Sequence, residues 1–146
     1  PIGAMLTTNQ FAPSFSVGTH GSTFGGNPLA CAVAAAAFDL IQDPQTLNHV
    51  QQQGEQLLRG LQAIGIETGV FQAVRGQGLL IGAVLAEAYQ GRASEITAAA
   101  LQQGLMILVA GGNVLRFAPS LLLNDEDLAL GLEKLRLAIH TWLAAA

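Results

Sequence analysis

The residues whose types and spacing could do chemistry crowd into Gly18–Pro28, which reads Gly-Thr-His-Gly-Ser-Thr-Phe-Gly-Gly-Asn-Pro. Glycine, lacking a Cβ, lets backbone N–H groups turn toward a ligand. The hydroxyls of Thr19, Ser22 and Thr23 can add donors to the same pocket. Asn27 followed by Pro28 is a helix start, because Asn caps and Pro at the first helical position gives up no hydrogen bond. A polar loop entering a helix N-terminus is a generic anion site. A tight, capped turn accounts for the same residues, and local physics leaves the two readings level. Nucleotide motifs do not fit. Gly21 and Gly26 have the P-loop separation, but Asn27-Pro28 stands where Lys and Ser or Thr are needed, and Gly76-x-Gly78 is followed by Ile81 where the dinucleotide pattern needs Gly.

Arg116 is the other informative position. It lies in Val114-Leu115-Arg116-Phe117, an apolar strand context in which an unpartnered guanidinium is costly. Its rigid fork matches a carboxylate with two hydrogen bonds, supplied by a ligand or by an acid elsewhere in the chain. Arg75 falls in a Gly-rich stretch read as a turn, where a backbone carbonyl or an acid would tie it down, and is given no catalytic role. His20 could pair with Ser22, but no orienting acid accompanies them. His49 and His140 lie on polar helix faces and are expected to be solvated. The histidines and Cys31 have no metal-ligand spacing. Lys134, the one lysine, sits on the polar side of an amphipathic helix, where a solvated charge is the default.

The elements that must position these groups follow from pattern. An Ala-rich helix is expected from Pro28 to about Ile41, ended by Asp43-Pro44. A second helix over Gln45–Ile64 carries Leu47, Val50, Leu57, Leu58, Leu61 and Ile64 on one face, with Gly54 on the same stripe and Gly65 as its stop. Strands are expected at Ile66–Val74 and Leu79–Leu85 around a turn at Arg75–Gly78, then a helix over Ala93–Gln103 and strands at Leu105–Val109 and Val114–Ala118. Asn124 caps a final helix whose buried stripe is Leu128, Leu132, Leu135, Ile139 and Trp142. Pro1–Thr8 reads as a strand or strand end. The order gives an α+β domain, a sheet of about four strands, mainly antiparallel, with helices on one face.

Composition narrows the class. The chain of 146 residues is 51% hydrophobic and only 11% charged, against roughly 25% charge in typical soluble domains. So apolar a composition is expected to be covered by a partner subunit or a further domain. The net charge of −4 argues against nucleic acid, which needs a basic footprint. A single cysteine fits a reducing compartment, and a cytoplasmic location is expected. No apolar run has the length of a membrane span.

Taken together, the motifs carry a specific resemblance. THGSTFGGNPLACA at 19–32 resembles the signature of class III (ornithine-type) aminotransferases, which use pyridoxal 5'-phosphate. PIGAMLTT at 1–8 is similar to the segment following that family's cofactor-holding lysine, and VRGQGLLIG at 74–82 and AGGNVLRFAP at 110–119 are similar to its C-terminal domain. The resemblance covers nearly the whole chain and is nearest the acetylornithine and succinylornithine branch. It implies the C-terminal part of a longer protein: a remnant of the large domain of a fold-type I transferase at 1–27, and its small domain, with the connecting helix, at 28–146. It further implies that Ser22 and Thr23 bind the cofactor phosphate across a homodimer interface and that Arg116 binds the substrate α-carboxylate. The family's lysine would precede residue 1, so these residues alone are expected to be inactive. The implied reaction moves the δ-amino group of an N2-acylated ornithine to 2-oxoglutarate. A non-catalytic α+β binding domain of the same fold is the alternative.

Overall fold

In the computed structural model, which describes residues 2–145, the chain separates into two compact units, Pro1–Asp43 and Pro44–Ala146. Asn27 and Pro28 begin α1, Pro28–Ile41, as their chemistry requires: the Asn27 side chain accepts from the Ala30 amide at 2.9 Å. Ile2–Thr8 forms no strand and is exposed throughout. An extended segment becomes a strand only against a partner, and none pairs with it among the described residues. The expectation's first residue lies outside those described.

The second unit opens with α2, Pro44–Thr68. Gly65 does not stop this helix. It is buried inside it, where a Cβ would stand 3.1 Å from the Cβ of Phe71. The chain turns out at Gly69, whose φ is +69°. Tertiary packing has outweighed the helix cost of glycine. Leu57, Leu61 and Ile64 are buried as the stripe predicts, but Leu47 is exposed, one turn too early to reach the core.

Strand β1 runs Phe71–Gln77 and β2 runs Leu80–Leu85, joined by Gly78-Leu79. Gly78, with φ +53°, opens this two-residue turn, a position that favours glycine. The turn therefore sits later than the Arg75–Gly78 segment expected, and Arg75 is a strand residue. Gly54 of α2 packs on this turn so closely that a Cβ would overlap the Gly78 backbone. The chain continues through α3, Ala93–Gln102, β3, Leu108–Ala110, and β4, Val114–Phe117, to α4, Asp125–Ala145. Asn124 caps α4, accepting from the Asp127 amide at 2.7 Å.

The four strands form an antiparallel sheet in the order β1-β2-β4-β3, with a bulge between Phe71 and Ala73. One face carries Ile81, Ala83, Leu85, Leu115 and Phe117 into a core with Leu61, Ile64, Ile96, Ala100, Leu135 and Ile139. Within this unit no helix covers the other face, where Leu80 and Leu108 are 61% and 50% exposed. An α+β fold with helices on one side of a four-stranded sheet is the result.

Polar ties hold the helices in place. Trp142 of α4 donates its indole N–H to Glu95 of α3 at 3.0 Å, and Arg92 lies 4.5 Å above the same ring. Glu67 of α2 accepts from Arg136 Nε at 2.9 Å and lies 2.7 Å from His140 Nε2. His49 Nε2 lies 2.8 Å from the Leu123 carbonyl oxygen. His49 is partly buried rather than solvated, while His140 stays exposed as its helix position predicts, yet each meets an element distant in sequence.

Candidate functional site

Residues 18–26 form an exposed loop built from local turns, which Asn27, half-buried, closes. Thr19 spends its hydroxyl on the loop itself, donating to the Ser16 carbonyl at 2.8 Å and accepting from the Ser16 amide at 3.2 Å. Ser22 Oγ accepts from the Gly25 amide at 3.0 Å, which leaves its O–H free to donate. Among the described residues Thr23 has no hydrogen-bond partner. Two adjacent hydroxyl donors next to a helix start are suited to phosphate oxygens. His20 does not pair with Ser22. Its ring packs edge-on against Phe15 with centroids 5.8 Å apart.

Arg116 belongs to the second unit. Alternation along β4 buries Leu115 and Phe117 and turns Arg116 to the uncovered face. The buried guanidinium that an apolar strand predicts is thus an exposed one, and it is unpartnered among the described residues. Its strand positions it beside Gly82 of β2 and Leu108 of β3, and it also lines a cavity of about 230 Å3 with Leu105, Met106, Pro119 and Asp127.

The basic residues divide sharply. Of the six Lys and Arg, Arg59, Arg92 and Arg136 each pair with a glutamate. Lys134 Nζ lies 3.5 Å from the Gly104 carbonyl oxygen just past α3, in an exposed contact. Only Arg75 and Arg116 lack partners among the described residues. The sequence pattern places Arg75 in a turn, whereas the structure makes it a strand residue. The signal available was Gly78-Leu79, a two-residue loop that would have put Arg75 inside the strand.

Three carboxylates are held below their ordinary range, all by structural ties. Hydrogen bonding from His140, then Arg136, lowers Glu67. Arg92 and Trp142 lower Glu95, and Gln53 and Gln56 lower Asp125. None lies beside the loop hydroxyls or Arg116 in sequence, and each spends its charge joining helices.

Comparison with known proteins decides the family. The model of the class III aminotransferases matches residues 1–139. The chain belongs to the class III aminotransferase family. Its sequence is 62% identical over 146 residues to an acetylornithine aminotransferase of Neisseria meningitidis serogroup B, covering all of this chain and 37% of that protein. It is 49% identical over 139 residues to a succinylornithine transaminase/acetylornithine aminotransferase of Pseudomonas aeruginosa, covering 95% of this chain and 34% of that one. Among solved structures, N-acetylornithine aminotransferase from Stenotrophomonas maltophilia superimposes with a TM-score of 0.78 at 46% identity, over 84% of this chain and 34% of that chain. The chain thus spans little more than a third of the length of its curated relatives. No helix among the described residues is long and apolar enough to cross a membrane.

Proposed function

We propose that this chain is the C-terminal part of a pyridoxal-phosphate aminotransferase that moves the δ-amino group of N2-acetyl- or N2-succinyl-ornithine to 2-oxoglutarate. Residues 1–27 belong to its large cofactor-binding domain, and 28–146 form the small domain with α1 as the connecting helix. The protein works as a homodimer in the cytoplasm.

The cofactor, when bound, supplies an electron sink for the carbon that exchanges its amino group. The residues present fit its phosphate end: the Ser22 O–H remains free to donate while its oxygen accepts from Gly25, and Thr23 stands beside it. In the dimer these hydroxyls hold the phosphate of the partner's cofactor. Arg116 holds the α-carboxylate of the donor and of the 2-oxo acid in turn, and its fork fixes the reacting end of either substrate in one orientation. Lys134 is engaged at the end of α3, so the cofactor-holding lysine is assigned to the part of the protein that relatives carry beyond this match. The 146 residues alone are therefore inactive.

The observation that carries this reading is the unpartnered guanidinium of Arg116 on an exposed sheet face, in a chain where four of six basic side chains are engaged. The test is a chimera in which these residues replace the matching third of the Neisseria meningitidis relative. It is expected to transaminate N2-acetylornithine. Arg116→Lys in it keeps the charge and loses the fork, raising KM for both substrates about 10- to 100-fold. Unchanged KM values would remove Arg116 from the site. Replacing Ser22 and Thr23 together by alanine is expected to weaken pyridoxal phosphate retention, read by cofactor release on dilution. In mixed dimers the defect should appear in the opposite subunit's site.

A further inference from the structure

Glycine inside a helix is destabilising relative to alanine, so each one asks for a local reason. Four stand within the described helices: Gly54, Gly60 and Gly65 in α2, and Gly131 in α4. Three are explained by contact. An added Cβ would overlap the Gly78 backbone at Gly54 and the Leu132 side chain at Gly60, and at Gly65 it would stand 3.1 Å from Phe71 Cβ. Gly131 is different. Its Cβ would meet nothing nearer than Leu105 Cδ1, at 4.0 Å, and its φ is not positive. Neither crowding nor backbone conformation calls for glycine there.

What Gly131 and Leu105 share is the cavity of about 230 Å3 in the second unit. Its walls include Leu57 of α2, Ile107 and Phe117 beside and within the sheet, and Leu128, Leu132 and Leu135 of α4. All of these but the partly buried Leu132 belong to the buried core, so the space opens into the core itself. An apolar cavity offers water no partners, and one of about 150 Å3 accepts benzene. A void also forfeits dispersion contacts, which a methyl at position 131 would partly restore. The sequence keeps the room instead. Among the described residues only Arg116 and Asp127 bring charge to this cavity, one of each sign. An anion there meets Asp127 and a cation meets Arg116, so the pair favours a ligand with no net charge.

We infer that the cavity beside Gly131 is a binding site for a small uncharged ring compound of about six to nine non-hydrogen atoms. Glycine at 131 leaves the volume that the ring occupies, and the leucines, Ile107 and Phe117 supply its contacts. A compound seated there presses on Phe117, next to Arg116 in β4, without covering the sheet face to which the strand turns Arg116. The site is therefore separate from the carboxylate role proposed for that arginine, and the two readings stand or fall independently.

The experiment uses this chain as it is, with Leu and Ile methyl groups labelled for NMR and titrated with indole, benzoate or benzylamine. The expected result is saturable shifts at the methyls of Leu57, Ile107 and Leu132 with indole, half-complete near about 1 mM. Benzoate and benzylamine should bind at least about tenfold more weakly, because each carries a charge into an apolar space. Gly131→Ala should raise the melting temperature by about 4–8 °C and weaken indole binding several-fold. Gly131→Leu fills the space and should abolish binding. Leu130→Ala, at an exposed neighbour that does not line the cavity, should leave it unchanged. Indole binding that survives unaltered in Gly131→Ala and Gly131→Leu overturns the inference, as does the absence of any saturable shift. Benzoate or benzylamine binding as tightly as indole overturns the uncharged ligand. Shifts of the same methyls that follow chain concentration without indole would assign the cavity to a second copy, and overturn it too. The raised melting temperature shows that Gly131→Ala is folded.

Discussion

The two units of this chain have comparable appetite for burial and opposite outcomes. In 44–145 the apolar residues meet one another: Leu61, Ile64, Ile81, Leu115, Leu135 and Ile139 are almost wholly inaccessible. In 2–43 a helix more apolar than any of those in 44–145 has no buried residue. No residue of α1 is buried, and Leu29 and Phe38 are 76% and 62% exposed. The difference is not one of helix propensity, since α1 has an Asn cap, a Pro at its first turn and a run of alanines. It is a difference in what each segment has to pack against. A helix keeps its shape from local chemistry but gains most of its stability from a buried face, and within 2–43 α1 has none.

The sharpest way to break this comparison is truncation of one leucine in each unit. Leu61→Ala removes a fully buried side chain and should lower unfolding stability by about 2–5 kcal/mol. Leu29→Ala should change it by less than about 0.5 kcal/mol. Chemical denaturation of both variants decides the matter, and equal losses would mean that the first unit has a core of its own.

A smaller effect is expected at the contact between α2 and the β1–β2 turn. Gly54→Ala places a methyl against the Gly78 backbone, which cannot rotate away, and should cost about 1–3 kcal/mol. Gly3→Ala in the first unit meets nothing within 4 Å and should leave the denaturation midpoint unchanged.

The smallest expected effect is electrostatic and confined to the second unit. Glu67, Glu95 and Asp125 each have a lowered pKa in the folded chain, against ordinary values of 4.5, 4.5 and 3.8. A carboxyl that is more acidic when folded stabilises fully above its unfolded pKa and loses that contribution as pH falls through the folded one. Melting temperature should therefore be flat above about pH 5 and decline on acidification. Glu95→Gln should make that decline shallower. A melting temperature that rose on acidification would contradict the assigned ties.

Much of this was legible in the residues. Caps at Asn27 and Asn124, the stripe through Leu57, Leu61 and Ile64, and four strands in an α+β order all follow from local patterns. Two of the departures share one cause: Gly65 reads as a helix stop and Gly76 as part of a turn, because an isolated glycine looks like punctuation until its neighbours are known. Gly65 instead makes room for Phe71, and the shifted turn moved Arg75 from loop to strand. The partners of His49 and His140 were illegible for a related reason: they lie 74 and 73 residues away, beyond any periodic signal. Ser22, Thr23 and Arg116 are proposed from motif resemblance alone. Only the strand register revealed what stands beside Arg116.

The bulge at Phe71–Ala73 and the brevity of β3 also bear on solubility. A sheet that leaves one face bare would be prone to fibre growth if its outermost strands were long and flat, since unpaired N–H and C=O groups recruit further strands. Here one outer strand is kinked by the bulge and the other is only three residues long. Both margins make poor templates for strand addition. Association through this domain should then proceed face to face and stop at a finite size, rather than propagate edge to edge into amyloid-like ribbons.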